Sequence, residues 1–144
     1  FLDSLKNEGQ TNLENTSRNF FGSGRTRGLV FVLSDFLIDQ RLADSFRPVS
    51  QFGHEIFGVH IISPEEENPS FDGQVVLVDS ETHEAINANL TGSALETYRA
   101  EFKKHLTDTE RFFKRSGWGY TSIRTNVDFE ASVLTSLKKE GIFR

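Results

Sequence analysis

Asp35 is the carboxylate whose placement raises the first chemical question. It sits inside GLVFVLSDFLID (residues 28–39), beside Ser34, at the end of a near-continuous apolar run. A charge at the mouth of a buried strand is costly unless something pairs it or uses it. Two uses suit an aspartate there: contact with a metal ion or ligand, and capping of the free amides of a following helix. A second group, Asp79, Glu81, His83 and Glu84 in DSETHE, joins carboxylates to an imidazole. Those donor types serve metal binding or acid–base work. Alternate strand residues point to opposite faces, however, and this group falls at an exposed hairpin tip, which favours simple solvation. His54, His60 and His105 have no paired nucleophile pattern, and neither G-x-S-x-G nor H-E-x-x-H occurs. FGSGRTRG (residues 21–28) has the composition of a phosphate-binding glycine loop but precedes a strand instead of following one. It reads as a flexible turn, with Arg18, Arg25 and Arg27 as a solvated basic cluster.

The elements that must position these residues alternate in type. Leu13, Thr16, Phe20 and Phe21 have helical spacing. LVFVLS (29–34) and EIFGVHII (55–62) are continuous apolar runs of strand length, as expected of strands buried on both faces of a parallel sheet. Leu42, Ala43, Phe46, Val49 and Phe52 between them predict a helix, shortened or kinked at Pro48. Strand, helix, strand demands a crossover and a parallel pair. SPEEENPSFDG reads as a polar loop, and QVVLVDSETHEAIN as a β-hairpin with a tight polar turn. Ser93 and Glu96 have the spacing of a capping box. They open a helix with Leu95, Tyr98, Phe102, Leu106 and Phe113 on one stripe, ending at Gly117. GYTSIRT is a third strand, and a short amphipathic helix closes the chain. Trp118 and the phenylalanines are read as core.

Composition narrows the function classes. The chain has 144 residues and a net charge of −5, which suits one mildly acidic domain and argues against a nucleic-acid surface. With no cysteine, disulfides, thiolate metal sites and cysteine nucleophiles are excluded. No apolar run reaches the length of a membrane span, and a cytoplasmic setting is expected. The first residue is Phe1 and methionine is absent. The chain is therefore expected to be excised from a longer protein, with an N-terminal part upstream.

EGQTNLENT, RTRGLVFVLSDFL, GHEIFGVHIISPEEENPSFDGQVVLVDSET and the Tyr, Phe and His positions of the helix after residue 92 resemble a bacterial family of unknown function. Its members carry a von Willebrand factor A-like domain and are commonly encoded beside MoxR-type AAA ATPases. SDFL and the P-x-F-x-G…D-S-E-T segment are the most specific parts of the likeness. The resemblance implies one von Willebrand A-like α/β domain over residues 1–144: a doubly wound, mostly parallel sheet with helices on both faces and an appended β-hairpin. It also implies a metal-ion-dependent adhesion site, in which Thr11 of GQTN matches the second loop and Asp35 of LSDF the third. The first loop, Asp-x-Ser-x-Ser, is expected upstream of Phe1, so magnesium, manganese or calcium should bind weakly or not at all to this fragment. Residue chemistry alone leaves Thr11 an alternative as a helix N-cap in QTNLE.

The function so implied is non-enzymatic: a metal-assisted protein-interaction module, working with a MoxR-type ATPase in assembly or maturation of other complexes. Magnesium takes oxygen ligands and keeps several waters, so hydroxyls with one or two carboxylates leave a position for a partner's carboxylate. The rival is a hydrolase or nucleotide-binding enzyme of Rossmann-like fold using Asp35, since fold alone does not decide chemistry.

Overall fold

The computed structural model describes residues 15–16, 18–19, 26–38, 41–70, 73–78 and 84–139. Thr11, Asp79, Glu81 and His83 lie outside them. Of the helix expected over residues 13–21, Asn15, Thr16, Arg18 and Asn19 are described, all helical and exposed.

Among the described residues three parallel strands form the main sheet: β1 (Leu29–Ser34), β2 (Glu55–Ile62) and β5 (Gly119–Arg124), in the order β1-β2-β5. β2 is central, pairing Val30 with Ile56 and Ser34 with His60 on one side, and His60 with Ser122 on the other. Its long apolar run follows from that position, because residues 56–60 are all buried. A separate two-stranded antiparallel sheet joins β3 (Gly73–Val78) and β4 (Ala85–Leu90), with Val75 opposite Ala88 and Leu77 opposite Ile86. The parallel strands and the hairpin match the sequence expectation.

Helices cover both faces of the sheet. On one, α1 (Leu42–Gln51) and α3 (Gly92–Arg115) pack Phe46, Val49 and Phe113 onto Phe36 and Ile56, with Trp118 and Tyr120 at the margin. Phe113 is fully buried and meets Phe36 and Phe46 edge-on at 5.3 and 5.6 Å, a favoured aromatic geometry. Gly58 lets this ring approach: a β-carbon there would stand 2.7 Å from it. On the other face, α4 (Phe129–Lys139) buries Leu137 against Phe57, Val59 and Ile123. Pro48 lies buried within α1, which continues through it to Gln51.

Two local expectations are corrected. The expected polar loop after β2 contains a one-turn helix, α2 (Pro64–Glu67), and the capping box is there: Ser63 Oγ accepts from Glu65 N, while Ser63 N donates to Glu66 at 2.8 Å. The longer helix α3 is capped instead by Thr91, whose hydroxyl accepts from Ala94 N. Ser93 is already inside that helix and bonds Thr91 Oγ1 at 3.1 Å. A hydroxyl caps only from the extended residue before the first turn, and Thr91 holds that conformation (φ −80°, ψ 163°).

Candidate functional site at the end of β1

Asp35 follows the last residue of β1, at the carboxyl edge of the parallel sheet, and is exposed. In open α/β sheets ligands bind beyond the carboxyl ends of the strands, at a switch point of strand order; the described order β1-β2-β5 shows no such reversal. Two side-chain-to-backbone bonds shape the loop there. Ser34 Oγ accepts from Phe36 N at 3.0 Å, and Asp35 Oδ1 accepts from Leu37 N at 3.1 Å. Ser34 Oγ also donates to Asp35 Oδ1 at 3.4 Å. Asp35 is thus no cap for the next helix: α1 begins at Leu42 behind Arg41, whose side chain makes no capping bond. The carboxylate and its neighbouring hydroxyl organise their own turn.

Phe36 shows what this turn costs. Its φ is +54°, the one left-handed value outside glycine among the described residues, and such a conformation is unfavourable for a bulky side chain. Burial compensates: the ring is 2% exposed and packs against Phe46, Phe113 and His60. Phe36, two residues past the end of β1, therefore anchors the loop in the core while Asp35 beside it stays exposed. Backbone strain at such a place is a recurrent mark of functional loops.

Two histidines and a tyrosine underlie the turn. His105 of α3 brings Nε2 to 3.2 Å from the Asp35 carbonyl. A carbonyl only accepts, so Nε2 carries the proton. His60 of β2 is 2% exposed, meets the His105 ring edge-on at 5.4 Å, and has Nδ1 2.8 Å from the Tyr120 hydroxyl. Burial first, then the neighbouring His105, lowers the His60 pKa to about 4, with Asp35 opposing. Tyr120 is raised well above its ordinary value by burial and by the charge of Glu110. Across the ordinary pH range this pair is a neutral hydrogen bond holding the floor of the site.

The donors at this loop are few. Asp35 and Ser34 offer a carboxylate and a hydroxyl, both hard oxygen donors. That set suits a cation that retains several waters, as magnesium does. Among the described residues no group of three or more His, Cys, Asp or Glu could hold a metal ion, so these residues form no closed cage. The imidazoles serve the backbone and Tyr120.

Sequence reasoning placed Asp35 correctly at the strand end but missed His60, His105 and Tyr120 as its supports. One signal is available: His60 and Tyr120 both sit on segments expected as strands, and the structure pairs those strands directly. Nothing in the sequence placed His105 over them. Of the basic loop, Arg27 is described, and its guanidinium lies over Gly53, 2.9 Å from where a β-carbon would stand. His54, buried, accepts from Gly28 N at 3.2 Å just before β1.

A family model described as "Protein of unknown function DUF58" matches residues 4–111. The matched segment spans β1 through most of α3, and includes Asp35, His60 and His105. No curated protein and no solved structure matches the chain.

Proposed function

The chain belongs to the DUF58 family, and from that premise we propose that it is a von Willebrand A-like, non-enzymatic protein-interaction module centred on the Asp35 turn. The observation that carries this reading is the strained turn itself: Phe36 at φ +54°, buried, aiming an exposed carboxylate off the edge of a parallel sheet. Asp35 would hold a divalent cation with the Ser34 hydroxyl, and Thr11 would add a second hydroxyl as the family resemblance implies. When bound, such an ion supplies an open coordination position that a carboxylate of a partner protein can fill. His105 and His60 keep the turn rigid from below. The partner proposed is a MoxR-type AAA ATPase, acting in assembly or maturation of protein complexes within the cytoplasm. The described residues contain no helix long and apolar enough to cross a membrane.

Isothermal titration calorimetry with magnesium and manganese on the natural full-length protein tests the reading. Asp35→Ala should abolish or strongly weaken cation binding and capture of the ATPase. It should cost only about 1 kcal/mol of stability, the scale of a lost side-chain cap, because the residue is exposed. Equal cation affinity in both proteins, or no binding by the wild type, overturns the proposal and reduces Asp35 to a turn-forming residue.

A further inference from the structure

We propose that the free edge of β3 is a self-association surface, on which a second copy of this chain adds its own β3 antiparallel to give a four-stranded sheet ordered β4-β3-β3-β4. The inference is independent of the Asp35 reading.

The hairpin stands apart from the main sheet. β3 pairs with β4 and, among the described residues, has no strand on its other edge, while β4 is the strand that packs near α3. A lone two-stranded hairpin is marginal in water. This one is also unusually apolar for its exposure: Val76 and Val78 are each 60% exposed and Ile86 65%. None of the residues in β3 or β4 is charged, in a chain that is 26% charged. Edge strands are ordinarily protected from pairing by charges, proline or a bulge. β3 has neither charge nor proline, and its ladder runs unbroken from Gly73 opposite Leu90 to Val78 opposite Ala85. A groove of about 500 Å³ crosses the middle of the hairpin, lined by Gln74, Val75, Val76, Asn87, Ala88 and Asn89.

Self-complementarity selects a second copy as the occupant. A two-fold interface must match its own patch. Antiparallel addition centred on Val76 sets Val76 opposite its copy, Val75 opposite Leu77, and Gln74 opposite Val78. Opposed residues share a face, so at the centre Val76 meets its copy and Val75 meets Leu77, with Gln74 against Val78 toward the ends. An uncharged strand meets its copy without like-charge repulsion, whereas a charged foreign strand finds no countercharge along β3. Direction follows from the same electrostatics. In sequence the acidic DSETHE follows directly on Val78, and antiparallel addition sets the two Val78 ends apart where parallel addition would set them side by side.

The test is sedimentation velocity on the whole chain over a concentration series, with circular dichroism to verify folding. A monomer–dimer equilibrium is expected, and Val76→Lys should weaken it about tenfold or more, while Val76→Thr should preserve it. The chain has no cysteine, so a single introduced thiol reports the register. Under mild diamide oxidation Val76→Cys, on the two-fold axis, should cross-link two chains, and Gln74→Cys should not. A monomeric wild type, a dimer unchanged by Val76→Lys in a folded variant, assemblies that grow beyond two copies, or equal cross-linking at both positions overturns the proposal.

Discussion

Acidification should destabilise this fold through His60. The side chain is 2% exposed, and its pKa stands at about 4 against an ordinary 6.5, chiefly from burial. Unfolding returns the ring to water, where it takes up a proton near the ordinary value. Between those two pKa values the unfolded chain binds more protons than the folded chain, so stability falls as pH drops. The contribution is fully present above about pH 6.5 and is lost progressively toward pH 4. At 1.36 kcal/mol per pKa unit, the full shift corresponds to about 2 kcal/mol lost at pH 5 and about 3 kcal/mol at pH 4. About 1–2 kcal/mol is expected at pH 5. The groups facing the ring are His105, Asp35 and Tyr120. Glu67, held below 4.5 by the Arg124 fork, loses its contribution only at lower pH, so a measurement at pH 5 separates the two. Urea unfolding at pH 7 and pH 5 provides the assay. The comparison is with His60→Asn, whose amide keeps a hydrogen-bonding group near Nδ1 for Tyr120 and does not titrate. Wild type should lose more stability than the variant between the two pH values. Equal losses would refute the assignment of acid sensitivity to His60.

Two further outcomes follow from packing and capping. Gly58→Ala would place a methyl group 2.7 Å from the Phe113 ring, and the overpacking should cost about 1–3 kcal/mol, read as a lower melting temperature. Thr91→Ala removes the hydroxyl that accepts from Ala94 N and should cost about 1 kcal/mol in urea unfolding. Ser93→Ala should cost clearly less. The opposite ranking would restore the cap to Ser93.

The sequence by itself determined the alternation of elements, the three strand segments of the parallel sheet, the hairpin, and the position of Asp35 at a strand end. These are local matters: continuous apolar runs, helical spacing and a short polar turn restrict a few neighbouring residues at a time. Two parallel strands separated by a helix follow from chain connectivity. Capping already strained this reading, because Ser93 and Thr91 are both hydroxyls two residues apart and only the backbone angles distinguish them. The tertiary structure alone decided what surrounds Asp35. His60, His105 and Tyr120 come from a central strand, a long helix and an edge strand, and converge only once α3 lies across the sheet at its actual register. Phe36 could be read as one more apolar residue of a strand. Its left-handed turn arises because Phe46, Phe113 and His60 together leave a pocket for its ring, and that packing outweighs the local cost of the backbone. The exposure of β3 was likewise hidden, since an apolar strand reads the same whether a neighbour covers it or not.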